Sequence, residues 1–258
     1  MKKALWVLLV FGFIVAVTAP LVYFYIKVQL PEMASELELY QLLKRSIEGE
    51  RRAQALAMVT LEKKDISFQR PDISRYPKHL VSLALNERGC PRYFQTPREE
   101  GFPWAKRMVA FFLNHETGGN EGWCEKVFSW DVAERIGADT HSKQVVATHL
   151  IHAVLTKDAL LAYDLASTPF DTGVIGPEDA AHVLFGKKLE VLSLAEMAEM
   201  ALAMPPHGYW SQVNNCQNTV LLRQNRDVLI QRLRQAGLIP EDLAVNAQTQ
   251  PLACATRN

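Results

Sequence analysis

The chain begins with a long stretch of apolar and uncharged residues. This stretch covers 23 residues from Ala4 to Ile26 and directly follows Lys2 and Lys3. A helix of that length can cross the roughly 30 Å of a bilayer core, and it is longer than the apolar run of a cleaved signal peptide. The pattern predicts a cytoplasmic tip and transmembrane anchor over residues 1–27, because the two lysines favour a cytoplasmic N-terminus.

Apolar residues recur at helical spacing in the segment that follows. The positions that can share one helix face are Leu37, Leu39, Leu42, Leu43 and Ile47. Charged residues occupy most of the other positions, which is typical of an amphipathic helix. Residues 65–78 contain two prolines and favour an irregular connection. We therefore interpret residues 28–78 as an amphipathic stalk and connection.

The rest of the chain shows the helical period far more often than strand alternation. The predicted helices cover 79–86, 102–114, 123–136, 142–155, 157–166, 177–185, 194–203 and 217–236. The aromatic stretch 102–114 also carries two basic residues, which suits either a core helix or a helix at a membrane interface. We expect a mostly α domain over residues 79–252, followed by a short tail at 253–258.

Two of these helices carry clear start and stop signals. Pro177 is suited to the first turn of a helix, and Gly186 can end that helix in a left-handed conformation. Ser193 and Glu196 have the spacing of a capping box at the start of the next helix, which Pro205 follows. Small residues dominate the second helix, so the local pattern predicts a closely packed helix pair without chemistry of its own.

Composition narrows the classes of function and of site. The 28 lysines and arginines balance 28 aspartates and glutamates, so no net positive field attracts nucleic acid. His149 and His152 lie three residues apart, but no suitably spaced third ligand accompanies them, so no metal site is predicted. The four cysteines are Cys90, Cys124, Cys216 and Cys254. They form no C-x-x-C motif, and three disulfide pairings are open.

The C-terminal half carries a longer pattern. The stretches "GVIGPEDAAHVLFGKKLEVLSLAEMAEMALAMPPHGYW" and "RQNRDVLIQRLRQAGLIPEDL" resemble the peptidoglycan glycosyltransferases, glycosyltransferase family 51. The matching residues are Gly173, Gly176, Ala180, Ala181, Phe185, Gly186, Lys187, Leu192, Ser193, Leu194, Ala195, Glu196, Tyr209, Arg226, Val228, Leu229, Gly237 and Ile239. This resemblance implies a lysozyme-like, α-helical glycosyltransferase domain with one N-terminal anchor.

The resemblance also locates a candidate catalytic base. Family members join lipid-linked disaccharides, and a carboxylate must accept the proton of the attacking hydroxyl group. In "HLVSLALNERGCPRYF", Glu87 takes the place of the first catalytic glutamate and Phe94 that of the motif's aromatic residue. Arg88 stands where the family has aspartate, and it is expected to lower the pKa of Glu87. The alternative role for Glu87 is a loop-capping or surface carboxylate.

Other catalytic motifs of the family are altered in this chain. Gln144 takes the place of the second catalytic glutamate and cannot carry a proton, so we expect it to be a solvated helix residue in a relict cleft. Ala166 replaces the family's asparagine. The resemblance makes Lys143, Lys187 and Phe94 candidate substrate contacts. It implies no certain cofactor, and Mg²⁺ is the candidate if the chain is catalytic.

The resemblance finally selects one disulfide pairing. Cys90 and Cys124 fall on segments that line the same cleft in the family, so we predict a bond between them. Cys216 and Cys254 would then pair across the last helix.

Two functions follow from the resemblance. The first is a membrane-anchored peptidoglycan glycosyltransferase that binds or polymerises lipid II, the lipid-linked cell-wall precursor. The second is a catalytically inactive relative that binds a glycan strand or a protein partner during assembly of the cell envelope. Either function implies a bacterial inner membrane location, with the C-terminal domain in the periplasm.

Overall fold

The computed structural model describes residues 18, 20–57, 67–98, 124–205 and 209–256. Within these residues the fold is mostly α, as predicted, with one two-stranded antiparallel sheet. The helices are α1 (Glu36–Ala57), α2 (Lys78–Glu87), α3 (Cys124–Arg135), α4 (His141–Val154), α5 (Lys157–Ser167), α6 (Pro177–Phe185), α7 (Leu194–Ala203), α8 (Trp210–Asn215), α9 (Thr219–Gln235) and α10 (Glu241–Thr249). The strands are β1 (Pro169–Asp171) and β2 (Val174–Ile175), and short 3₁₀ turns cover Ile73–Arg75, Leu189–Val191 and Ala253–Thr256.

Most predicted helices lie within one or two residues of their observed bounds. Three short elements have no counterpart among the predicted ones: helix α8, helix α10 and the β1–β2 hairpin. A helix of six to nine residues or a strand of two or three is too short to establish a hydrophobic period, so pattern alone cannot identify it. The predicted helix at 102–114 lies outside the described residues.

The predicted membrane anchor also lies mostly outside the described residues. Residues 20–29 are helical, and their side chains are mainly exposed. In the part of the chain that the structure describes, no helix combines the length and apolar character needed to cross a bilayer. The anchor at Ala4 to Ile26 therefore stays a prediction.

Helix α1 packs against the domain and does not extend away from it as a stalk. Leu39, Leu43 and Ile47 are fully buried and belong to the same hydrophobic core as the later helices. Leu37 was assigned to the same face, but its side chain is 58% exposed. The amphipathic pattern correctly predicts a helix, and the apolar face of this helix packs against the rest of the domain.

The core is built from two groups of helices. Helix α3 packs against α4 and α5, and α2 packs against α7 and α9. The hairpin between α5 and α6 depends on Gly176, which has a φ of 84°. A Cβ at this position would lie 2.9 Å from the carbonyl oxygen of Ala166, so only glycine is accommodated without a shift of the backbone.

The four cysteines form two disulfide bonds, and their pairing is the one that the resemblance predicts. Cys90 is bonded to Cys124 and Cys216 to Cys254, with Cα–Cα distances of 5.9 and 5.3 Å. The second bond joins the C-terminal turn to the end of α8. Residues predicted as a tail are therefore attached to the domain, and Cys254 is buried.

The predicted capping box is present at the start of α7. Ser193 Oγ accepts a hydrogen bond from the Glu196 N–H at 3.3 Å, and Glu196 Oε2 accepts one from the Ser193 N–H at 2.9 Å. Because one helix N–H loses its partner, Ser193→Ala should lower the free energy of unfolding by about 1 kcal/mol. Urea unfolding followed by circular dichroism measures this change. Ser211→Ala, at an exposed position in α8, is the matched control and should have little effect.

Candidate functional site

A polar cleft of about 620 Å³ opens between α1, α3, α5 and the hairpin. Its described lining residues include Ser46, Glu50, Arg88, Asp131, Glu134, Arg135, Asp164, Ser167, Thr168, Asp171 and Thr172. Five of these residues are acidic and two are arginines. The cleft is large enough for part of a sugar chain, and its lining offers donors and acceptors for hydroxyl groups.

The disulfide between Cys90 and Cys124 connects the segments that build the floor of the cleft. Arg88 directly follows α2, and its N–H donates to the carbonyl of Ala84 at the end of that helix. Two residues later Cys90 is bonded to Cys124, the first residue of α3. The bond therefore keeps the Arg88 segment beside α3, which carries Asp131 at its centre.

Arg88 forms a three-residue ionic cluster on the floor. Its Nη1 lies 2.5 Å from Asp164 Oδ2 and 3.5 Å from Asp131 Oδ2. The side chains of Arg88 and Asp164 are 6% and 1% exposed, whereas that of Asp131 is 45% exposed. One buried cation thus serves two carboxyl groups, of which only Asp131 is open to solvent.

The electrostatics of this cluster favour a protonated carboxyl group. Burial raises the pKa of Asp164 to about 7, and the neighbouring Asp131 adds to the rise, while Arg88 opposes it. Burial also raises the pKa of Asp131. A single guanidinium cannot fully compensate two carboxylates in a partly desolvated site, so the pair retains a proton to higher pH than an isolated aspartate.

A second arginine lies on the wall of the cleft. Arg135 Nη1 lies 3.3 Å from Glu50 Oε2 on α1, which connects α1 to α3. Arg135 Nη2 and Arg88 Nε are buried and have no hydrogen-bond partner among the described residues. Both arginines line the cleft, although these two nitrogens are themselves shielded from solvent.

The hairpin forms the far edge of the cleft. Asp171, at the end of β1, accepts a hydrogen bond of 2.6 Å from Trp210 Nε1. Trp210 begins α8 and is buried, so it anchors the hairpin to the C-terminal helices. The edge of the cleft is therefore held by a side chain that lies 39 residues further along the chain.

A separate ionic cluster stabilises the interior behind this site. Glu125 Oε2 lies 2.9 Å from His152 Nε2 and 3.2 Å from Arg98 Nε, and Glu125 Oε1 lies 3.3 Å from Lys157 Nζ. None of these four residues is among the described cleft-lining residues. His152 thus has a carboxylate partner, and we assign it a structural role.

The two residues predicted from the catalytic glutamates do not lie on the described cleft lining. Glu87 is the last residue of α2 and is half-buried, one position before Arg88. Gln144 is half-buried in the first turn of α4, where its N–H donates to the Thr140 carbonyl. The structure brings neither residue into the cleft, and their catalytic roles stay predictions.

The three predicted substrate contacts also lie apart from the described lining. Lys143 Nζ pairs with Asp139 at 2.8 Å, one helical turn away. Lys187 Nζ pairs with the capping-box carboxylate of Glu196 at 2.6 Å. Phe94 is 49% exposed and contacts the ring of Tyr93 edge-on. Each of the two lysines therefore has a local carboxylate partner.

Sequence reasoning missed Asp131 and Asp164, the two carboxyl groups on the cleft floor. Asp164 lies in "ALLAYDLAS", where every residue from Leu160 to Ser167 is buried in α5. A single charged residue inside such a run is the signal that could have identified it, because a buried carboxylate requires a partner. Asp131 gives no comparable signal, since it lies among other polar residues of α3.

Mg²⁺ is the cofactor that the family resemblance implies for a catalytic chain. Across the described ranges, no group of three or more histidine, cysteine, aspartate or glutamate side chains has a geometry suited to a metal ion. The carboxyl groups on the cleft floor are instead directed at Arg88. The candidate role of Mg²⁺ stays a prediction.

Comparison with known proteins gives a consistent family match. The transglycosylase family model matches residues 132–234, which include Asp164. Penicillin-binding protein 1A of Rickettsia bellii is 33% identical over 152 residues, covering 58% of this chain and 19% of that protein. Penicillin-binding protein 1A of Rickettsia conorii is 28% identical over 151 residues, which again cover 58% of this chain and 19% of that protein.

A shorter relative matches a larger part of its own length. A candidate transglycosylase of Cupriavidus necator is 33% identical over 110 residues, covering 42% of this chain and 46% of that protein. The chain thus matches about a fifth of the length of the two penicillin-binding proteins and about half of the length of this shorter relative.

Proposed function

We propose that the chain is a transglycosylase-family protein whose cleft binds lipid II, the lipid-linked disaccharide precursor of peptidoglycan. The match of residues 132–234 to the transglycosylase family model supports this proposal. The proposal includes a lysozyme-like glycosyltransferase fold, an N-terminal membrane anchor and a periplasmic domain. The family match supports a peptidoglycan glycosyltransferase-like function. The proposed substrate and location rest on the cleft and on the apolar N-terminal stretch.

The observation that carries this proposal is the pair of incompletely satisfied arginines in a sugar-sized polar cleft. Arg88 and Arg135 each have a buried guanidinium nitrogen without a hydrogen-bond partner among the described residues. The precursor combines a pyrophosphate group with sugar hydroxyls, and arginine recognises both through directed hydrogen bonds. Acidic lining residues can accept hydrogen bonds from the hydroxyl groups.

Binding of labelled lipid II to the full chain in lipid nanodiscs tests this proposal. Arg135→Gln should weaken binding about tenfold or more, since a hydrogen bond to a charged group contributes about 1.5–3 kcal/mol. Arg234→Gln is the matched control, because Arg234 lies on α9 and pairs with Glu241 outside the cleft. Equal affinities of the two variants, or absence of binding by the wild type, would contradict the proposal.

Gln144 favours a second candidate function. With glutamine in place of the second family glutamate, the chain would retain the scaffold and bind a protein partner or a glycan strand in the cell envelope without catalysis. A polymerisation assay separates the candidates, because only an active enzyme converts lipid II into glycan chains. If Glu87→Gln forms no polymer while the wild type does, the result supports Glu87 as the catalytic base, as the family motif predicts.

A further inference from the structure

A second pocket, of about 180 Å³, lies between α1, the turn at Ile73–Arg75 and the start of α6. None of its described lining residues also lines the cleft. The two cavities are neighbours along the chain, because Glu50 and Ser167 line the cleft while Arg51 and Ala166 line the second pocket. Sites for drug-sized ligands span about 300–1,000 Å³, so the second pocket suits a smaller molecule.

Two of the charged residues that line the second pocket pair with each other. Arg51 Nη2 lies 3.0 Å from Asp179 Oδ2, and the side chains are 12% and 14% exposed. The same guanidinium group donates hydrogen bonds to the carbonyl oxygens of Ser67 and Ile175. These contacts join α1 to α6, and the charges of Arg51 and Asp179 are compensated within the protein.

The other two charged residues of the second pocket have no such pairing. Arg75 is exposed, and its guanidinium group forms no ion pair with any described residue. Glu178 lies in the first turn of α6, where its carboxylate accepts a hydrogen bond from its own N–H but pairs with no described cation. Arg75 and Glu178 are also too far apart to pair with each other. The second pocket therefore presents one cation and one carboxylate that are both open to a ligand.

Tyr76 provides an independent indication of a ligand. Its side chain lines the second pocket and is only 6% exposed. The hydroxyl group of Tyr76 forms no hydrogen bond with any described residue. A buried hydroxyl group without a partner costs free energy, so a polar ligand that reaches it gains a hydrogen bond.

The electrostatics of the second pocket favour a ligand that carries both charges. Burial of the carboxyl group raises the pKa of Glu178; Asp179 on the same helix and Glu190 in the turn at Leu189–Val191 add to this rise, while Arg75 opposes it. A positive group placed at Glu178 would stabilise its carboxylate. A ligand with only a positive charge would leave Arg75 without a partner, and one with only a negative charge would do the same to Glu178.

We propose that the second pocket binds a free α-amino acid as its zwitterion, with the ammonium group at Glu178 and the carboxylate at Arg75. A guanidinium group can hold a carboxylate through two parallel hydrogen bonds. The Tyr76 hydroxyl donates a further hydrogen bond to the same carboxylate. This site goes beyond the proposed function, since it lies outside the cleft and requires no lipid II.

Titration of the full chain in detergent, followed by saturation-transfer NMR, tests the proposal with alanine as the probe. Alanine should bind with a dissociation constant of about 1 mM, which is realistic for so small a ligand. Alaninamide lacks the carboxylate and propionate lacks the ammonium group, so each should bind about tenfold more weakly or worse. Alanylalanine carries the same charges further apart and should also bind more weakly than alanine.

Substitutions locate the binding to the second pocket. Glu178→Gln and Arg75→Gln should each weaken alanine binding about tenfold or more, and Tyr76→Phe about threefold. Glu241→Gln is the matched control, because Glu241 also lies in the first turn of a helix and its side chain is 65% exposed. This control should keep the wild-type affinity. Since Arg75 is exposed, Arg75→Gln decides the test even if Glu178→Gln does not fold.

Several outcomes would overturn this assignment. Absence of saturable alanine binding by the wild type does so, as does equal affinity for alanine and either singly charged analogue. An unchanged affinity in Arg75→Gln would place the binding elsewhere. Tighter binding of alanylalanine than of alanine would exclude a single amino acid as the ligand. None of these measurements uses lipid II, so failure here is distinct from failure of the proposed function.

Discussion

Replacement of Arg226 by methionine should lower the free energy of unfolding by about 3–5 kcal/mol, the cost of leaving a buried charge unpaired. Arg226 and Glu199 are both fully buried, and Arg226 Nη1 lies 3.3 Å from Glu199 Oε1. Burial raises the pKa of Glu199, and Arg226 opposes this rise. Without the guanidinium, the carboxyl group must be buried as an uncompensated charge or take up a proton.

The same substitution also removes backbone contacts between distant helices. Arg226 donates hydrogen bonds to the carbonyl oxygens of Gln248 and Gln250, which lie at the end of α10 and just after it. The last carbonyl groups of a helix have no partner within the helix itself. The substitution should therefore weaken the attachment of α10 to α9 as well as the pairing of Glu199.

Urea unfolding of the full chain in detergent measures this effect. Arg234→Met is the matched control on the same helix, because the Arg234 side chain is 33% exposed and its ion pair with Glu241 lies at the surface. Surface ion pairs contribute about 0–1 kcal/mol, so the control should lose little stability. A similar loss in both variants would contradict a special role of the buried pair.

Arg88→Met should also lower the free energy of unfolding by about 3–5 kcal/mol at pH 8, because it leaves a buried carboxylate without its cation. The variant leaves Asp164 and Asp131 without the cation that both contact. Burial already raises the pKa of Asp164 in the folded state, and loss of the Arg88 cation should raise it further. Below that pKa the folded protein holds a proton on Asp164 and avoids the buried charge.

The sign of the pH effect follows from the raised pKa. The folded state binds a proton on Asp164 at pH values where the unfolded state, with an ordinary aspartate pKa, has lost it. Stability therefore falls as the pH rises from the unfolded pKa towards the folded pKa. The difference between wild type and Arg88→Met should be larger at pH 8 than at pH 5.

Unfolding at these two pH values tests the prediction. Arg52→Met is the control, because Arg52 is 63% exposed and pairs with Glu48 within α1. Its effect on stability should be small at both values. A loss in Arg88→Met that is the same at pH 5 and pH 8 would show that Asp164 does not titrate in this range.

The helices with strong local signals were predictable from sequence. The cap at Ser193, the left-handed Gly186 and the first-turn Pro177 satisfy backbone groups within a few residues, so their effect does not depend on distant parts of the chain. The predicted bounds 177–185 and 194–203 agree with α6 and α7. The hairpin and the short helices α8 and α10 instead depend on contacts such as the hydrogen bond from Trp210 to Asp171.

The candidate site was less predictable than the fold. A family motif identified Glu87 and Gln144, yet the residues on the cleft floor are Arg88, Asp131 and Asp164. These three residues come from three separate helical segments, and neither periodicity nor a local motif relates them. Their association is visible only when the Cys90–Cys124 bond and the packing of α3 on α5 have placed them side by side.

The amino-acid sequence by itself determined the helical class, the helix limits with local caps and the family resemblance, because these depend on neighbouring residues or on a contiguous pattern. The tertiary structure alone decided that α1 packs into the core, that one arginine serves two carboxyl groups, and which carboxyl group remains open to the cleft. Burial and the distance between charges set these properties, and both arise only when segments far apart in the chain are brought together.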